Sequence, residues 1–249
     1  MDVTDLLLLV AISFLAGAIH GAGGFGFGLV SIGLYSLIMG VTEAVLVAIA
    51  LTMITSVGIL WKSLNLVNWR LAAPVFVSAM VARIAVFPIA HHYGGSDAMR
   101  FCLGVFLGIF GLRLLWQTFK RTPRPVRPIG PVAAAGVGLL AGLTGGIFGI
   151  AGPWYSLFFL NRGLDGPSYR ANLQLAFVGP NAVTLLLHSG AGDVTRAVLA
   201  AIAAGAIFAW LGSRTGVFIT GRLMPVQIER LACCIVLVAG GSLVFRAIM

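Results

Sequence analysis

Acidic side chains are scarce in this chain: seven Asp and Glu stand against sixteen Lys and Arg in 249 residues, and charged residues of both signs make up only 9%. So little charge cannot clothe a soluble globule. The seven carboxylates (Asp2, Asp5, Glu43, Asp97, Asp165, Asp193, Glu229) all lie at or beyond the ends of apolar runs. The intramembrane acid of a conventional proton relay is therefore missing. Cysteine is equally sparse. Cys102, Cys233 and Cys234 sit inside apolar runs without CxxC or Cys/His ligand spacing, which argues against a disulfide framework or a zinc site and for small buried hydrophobes. There is no G-x-S-x-G elbow, and Cys233 and Cys234 point to different sides of one helix. Both facts weigh against the different-class alternative, an intramembrane protease or thiol oxidoreductase. No motif calls for a cofactor. The basic residues do not interleave with aromatics on a polar module, which excludes nucleic acid as the partner despite a formal net charge of +9.

What is abundant is apolar length. The chain is 59% hydrophobic with a mean hydropathy of +1.04, and its apolar runs approach the roughly 20 residues that span a bilayer. It reads as an all-α integral membrane protein whose other partner is the lipid bilayer. The opening MDVTD lacks the basic region of a cleaved signal peptide, so the first apolar run is expected to stay in place.

The sequence repeats itself. FLAGAIHGAGGFG (14–26) aligns with LLAGLTGGIFGIA (139–151), setting Gly21 on Gly146, and ARIAVF (82–87) aligns with SRTGVF (213–218), setting Arg83 on Arg214. Between the copies lies TFKRTPRPVRP, with three prolines and four cations. The reading is a first repeat at 1–117, a basic Pro-rich cytoplasmic linker at 118–128 and a second repeat at 129–249, together one membrane domain.

Each half carries five apolar segments: 5–20, 28–41, 44–61, 71–91 and 98–117, then 129–144, 150–161, 169–188, 195–221 and 227–247. The last three of each set are long enough to cross. Segments 5–20 and 28–41 give only about 24 and 21 Å of helix against a core of about 30 Å, so each first pair is expected to form a re-entrant helical hairpin tipped by glycine. With the linker inside, hairpins put ten cations in the cytoplasm (Lys62, Arg70, Lys120, Arg121, Arg124, Arg127, Arg162, Arg170, Arg222, Arg230) and three outside (Arg100, Arg196, Arg246). Fusing each pair into a single crossing makes the split eight to five, so the positive-inside rule favours hairpins. A hairpin plus three crossings is an odd number of passes, which inverts one half relative to the other. Inverted repeats with broken helices are a recurrent plan of secondary transporters.

Glycine at a hairpin tip has two uses. It lets helices pack closely, and it lets the backbone turn so that free amides and the positive end of a helix dipole meet an anion. Two tips in corresponding places favour the second use and nominate the amides near Gly23, Gly24, Gly145, Gly146 and Gly149. Arg83 and Arg214 lie inside apolar runs with no acid to pair with, so the expected counter-ion is an oxyanion substrate, which a guanidinium binds through two hydrogen bonds. His20 stands at the first tip as the one titratable group of the site. Asn172, Gln174 and Asn181 share a segment in which they either line a cavity or bond neighbouring helices. Trp61, Trp69, Trp116 and Trp154 mark segment ends, and His91, His92 and His188 read as interfacial.

Duplicated glycine hairpins, a basic mid-chain linker and a length of about 250 residues resemble the TauE/SafE family, also called the sulfite exporter family, over essentially the whole chain. The resemblance implies a secondary transporter that exports a small oxyanion such as sulfite, sulfoacetate or another sulfonate across the bacterial inner membrane, and not an enzyme. Family members tend to carry a proline soon after each glycine run. Gly152-Pro153 follows that pattern, and Gly28-Leu29-Val30-Ser31 does not. A non-transporting subunit of a membrane complex is the remaining alternative. The sequence leaves the particular anion, the coupling ion, the direction of transport and the oligomeric state open.

Overall fold

The computed structural model describes residues 2–119, 130–164, 166–219 and 225–248. Nearly all of the linker therefore lies outside the described residues, as do five of the ten cations counted inside: Lys120, Arg121, Arg124, Arg127 and Arg222. Ten α-helices follow in order: α1 Val3–Gly23, α2 Phe27–Tyr35, α3 Val41–Leu60, α4 Trp69–Tyr93, α5 Asp97–Phe119, α6 Pro131–Phe148, α7 Gly152–Leu160, α8 Gly166–Gly190, α9 Arg196–Ile219 and α10 Pro225–Ile248. A single 3₁₀ turn, Leu64–Leu66, links α3 to α4, and there is no strand among the described residues.

Six helices (α1, α3, α4, α5, α6 and α9) are long and apolar enough to cross a membrane. This corrects the expectation that the first segment of each half is too short. The 21 residues of α1 make about 31 Å and the 18 of α6 about 27 Å. The glycines of the first run remain helical until Gly23 because packing opposes their low helix propensity. A side chain at Gly17 would strike the Ala209 carbonyl, and one at Gly21 the Ser213 carbonyl, so α1 lies unusually close to α9. The short pieces are α2 and α7, nine residues each, about 14 Å and half a bilayer core.

The packing pairs each first helix of a half with a helix of the other half. Along α1 and α9, Ser13 meets Gly205, Gly17 meets Ala209 and Gly21 meets Ser213, so the two run in the same direction. Gly138 meets Val75 and Gly142 meets Ala79, so α6 runs alongside α4 in the same way. The end of α4 meets the turn before α9, where His91 contacts Asp193, and Gly94 abuts Thr42 at the start of α3. It follows that α4 and α9 point in opposite directions, as do α1 and α6. Their far ends converge inside the protein, where a side chain on Gly28 would come within 2.8 Å of the Gly149 carbonyl.

Two apolar cores flank this meeting point. One gathers residues of α1, α2, α3, α5, α9 and α10 around Phe27, Leu46 and Leu103; the other gathers α4, α6, α7 and α8 around Tyr155, Phe159 and Leu173. Large apolar side chains such as Leu7, Ile84, Leu112, Leu186 and Ile207 face outward, as a lipid-embedded bundle requires. Trp61, Trp69 and Trp116 are exposed, whereas Trp154 is half-buried and donates to Thr144 Oγ1 (3.1 Å), tying α7 to α6. Of the three cysteines only Cys233 is buried; Cys102 and Cys234 lie on the outer surface.

Candidate functional site

Between the two breaks lies a small cavity lined by His20, Gly26, Phe27, Gly28, Leu29, Thr52, Arg83, Gly149, Ile150, Ala151, Gly152, Pro153, Phe177 and Asn181. Its volume is about 10 Å³, by the measure in which one water needs about 10–15 Å³. The site is narrow, and an anion larger than water needs the surrounding helices to part.

Both helix restarts border it. The first bonded amide of α2 is Val30, donating to the Gly26 carbonyl, which leaves the N–H groups of Phe27, Gly28 and Leu29 without helical acceptors. In α7 the first bonded amide is Trp154, Pro153 has no N–H, and Gly152 is left free of the ladder. Gly26 (φ +105°) and Gly149 (φ +68°) turn the chain through the left-handed region, which a side chain would oppose. Two positive helix ends thus border one narrow space.

This relocates the amides expected from the sequence. Gly23 and Gly24 close the C-terminus of α1, and the Gly24 amide already donates to the His20 carbonyl (2.7 Å). A helix presents carbonyls there, not donors, and they are held by cations and amides: Arg170 Nη2 donates to the Ala22 carbonyl (3.3 Å) and Gln174 Nε2 to the Gly24 carbonyl (3.0 Å). Gly145 and Gly146 are inside α6, so their amides belong to the helical ladder, and their role is space. A side chain on Gly145 would overlap the Arg83 guanidinium, and one on Gly146 would come within 2.5 Å of Val86.

Arg83 enters from α4 and is 1% exposed. Its Nη1 donates to Thr184 Oγ1 (2.8 Å), itself bonded to the Pro180 carbonyl of α8 (3.2 Å); its Nε has no partner, and it makes no ion pair among the described residues. The Tyr155 hydroxyl, also fully buried, has none either. A buried cation without a carboxylate is thus built into the cavity wall.

Arg214 is not its counterpart. It lies on the exposed face of α9, its guanidinium 4.7 Å from the centre of the Trp210 ring. The glycine contacts identify the true equivalent: Gly142 closes on Ala79 as Gly17 closes on Ala209, and Gly146 abuts Arg83 as Gly21 abuts Ser213. Ser213, buried, therefore occupies the station of Arg83. A shift of one residue rotates a helical side chain by about 100°, enough to carry Arg214 from interior to exterior.

His20 is fully buried and also lines the cavity. Gln174 holds it: because Gln174 Nε2 donates to Gly24, its Oε1 faces His20 Nε2 at 3.1 Å, and that nitrogen carries the proton. The ring's Nδ1 is then a buried acceptor without a partner. The edge of the ring meets Phe27 and its face tilts onto Phe177. Of the three amide residues on α8, only Asn181 lines the cavity, with no hydrogen bond among the described residues. Asn172 accepts from the Asn68 amide (3.0 Å) and donates to the Ser168 carbonyl (2.7 Å), joining α8 to the start of α4.

Thr184, Tyr155 and the amides of Phe27, Gly28 and Leu29 were not singled out from the sequence. Thr184 follows Asn181 by three residues, hence on the same helix face, and that spacing was the available signal.

The family model of the sulfite exporter TauE/SafE matches residues 9–243, nearly the whole chain. The chain belongs to the TauE/SafE family. No curated protein and no solved structure matches it. TauE/SafE proteins are membrane transporters and not enzymes, so the alternative of an intramembrane protease or oxidoreductase is set aside. Membership implies a membrane exporter of anions of the sulfite type. In this TauE/SafE chain the cavity wall combines one fixed cation, two helix N-termini and an unpaired amide side chain, groups that all favour negative charge.

Proposed function

We propose that this protein is a secondary transporter that binds one small oxyanion, such as sulfite, sulfoacetate or another sulfonate, between Arg83 and the N-termini of α2 and α7. The single observation that carries this reading is Arg83: a buried guanidinium in a membrane protein, with no acid among the described residues to neutralise it, beside a cavity lined by free helix ends. An oxyanion supplies the missing charge, and its several oxygens match the donors provided by the guanidinium, the Phe27–Leu29 amides, Gly152 and Asn181.

The halves act as inverted repeats, each opening with a long helix that breaks at glycine before a short one, α1 and α2 in the first half and α6 and α7 in the second. Supporting this are the opposed directions of α1 and α6 and the reciprocal packing of α1 on α9 and α6 on α4. Alternating access follows when one broken helix pair and its partner helix swing against the other, opening the narrow site to one face and then the other. Each negative charge leaving an inside-negative cell of the bacterial inner membrane gains about 2.3 kcal/mol per 100 mV, so efflux of a monoanion needs no coupled ion.

The test is a ligand-induced thermal shift of the purified protein with sulfite, sulfoacetate, other sulfonates, carboxylates and phosphate, together with flux in liposomes. The expected result is stabilisation and flux with a sulfur oxyanion, both lost in Arg83→Ala. Stabilisation and flux unchanged by that substitution overturn the reading.

A further inference from the structure

A second cluster lies beyond the cavity, where α4 and α8 end. His91 Nδ1 and His188 Nδ1 lie 2.8 and 2.6 Å from the same oxygen, Asp193 Oδ2, and the three atoms are all within 4.8 Å of one another. Phe87 stacks on His91 (5.6 Å between centroids, 23°) and meets His188 edge to face (5.0 Å, 87°), so one ring sets the plane of both imidazoles. His188 is buried and Asp193 partly so, while His91 is exposed, leaving one side open to water.

The surroundings favour a cation. Both histidines stand in the last turn of their helices, where carbonyl ends concentrate partial negative charge. Burial alone would push the Asp193 carboxyl up, but the hydrogen bonds from His91 and His188 outweigh it and hold the group below the usual carboxylate range. Two imidazole nitrogens, one carboxylate oxygen and a water form a four-coordinate donor set suited to Zn²⁺.

We propose that His91, His188 and Asp193 form a binding site for a divalent transition-metal ion of the Zn²⁺ type. The present contacts are hydrogen bonds, and accommodating an ion with bonds of about 2.0–2.1 Å moves each histidine nitrogen to about 3.3 Å from the carboxylate oxygen. Ligation uses Nδ1 of each ring in its unprotonated form, the proton between that nitrogen and Asp193 passing to Nε2 or to water. The ion joins α4 to the segment between α8 and α9. Those same helices carry Arg83, eight residues before His91, and Thr184, four before His188. Metal binding therefore clamps one end of the pair that lines the cavity and slows its opening.

The experiment uses the full-length protein in detergent, freed of metal by chelation, titrated with Zn²⁺ and separately with Co²⁺. Expected are a saturable rise in melting temperature and, for Co²⁺, the visible absorption of a four-coordinate N/O site. Asp193→Asn, which keeps the shape of the side chain, should weaken both signals at least tenfold, and His91→Gln likewise, whereas the neighbouring His92→Gln should leave them intact. A melting temperature without metal close to that of the parent protein verifies that each variant is folded. Absence of a metal-dependent shift in the parent protein, or equal shifts in the parent and both ligand variants, overturns the proposal. The measurement needs no anion and is independent of transport.

Discussion

Arg83 and Thr184 are joined by a hydrogen bond of 2.8 Å between the guanidinium of α4 and the hydroxyl of α8, both buried, and no acid takes part. The bond orients the cation without neutralising it. Removing the charge by Arg83→Ala should reduce sulfite-type anion affinity by about 10–100-fold, the worth of one charged hydrogen bond. Arg83→Lys should recover only part of this, because an ammonium keeps the charge and loses the planar fork. Thr184→Val should cost less than either. Anion-induced melting shifts rank the three variants, and a lysine variant equal to the parent would refute the role given to the fork.

Gly145 and Gly142 lie three residues apart on α6 and should fail differently. A methyl at Gly145 meets the end of the flexible Arg83 side chain, so Gly145→Ala should leave the melting temperature almost unchanged and lower anion affinity by displacing the guanidinium. At Gly142 the methyl meets the Ala79 backbone, 2.5 Å from its carbonyl oxygen, and Gly142→Ala should destabilise the fold by about 1–3 kcal/mol. Paired melting and binding curves separate the two effects.

Arg214→Ala should retain parental anion binding and flux, since the side chain lies over Trp210 on the outer face of α9. A loss of flux comparable to that of Arg83→Ala would mean that the transport cycle brings this guanidinium to the substrate.

Gln174→Leu removes the bond to His20 and leaves the Gly24 carbonyl without its side-chain donor. The expected destabilisation is about 1–3 kcal/mol for a buried polar group left unpaired. His20→Gln tests proton coupling separately: flux with normal rate and normal pH dependence in liposomes eliminates the imidazole as a proton carrier.

Sequence alone determined that this chain lives in a membrane, because its apolar runs, rare acids and terminal cations admit no other solvent. It also determined that glycine-rich breaks and a buried arginine are the features to examine, and it carried the family resemblance that the match over residues 9–243 bears out. Tertiary structure decided what each of those residues does. Linear alignment set Arg83 against Arg214, but helix rotation turns on single residues, and only the contacts of Gly17, Gly21, Gly142 and Gly146 reveal that Ser213 holds the equivalent place. The amides that face the cavity follow the glycine runs, because a helix offers donors where it starts and acceptors where it stops. Asn172, Gln174 and Asn181 look alike in sequence, yet one ties α8 to the start of α4, one fixes His20 and one faces the cavity. Composition fixes the solvent a segment can tolerate; the direction in which its polar atoms point depends on neighbours distant in the chain.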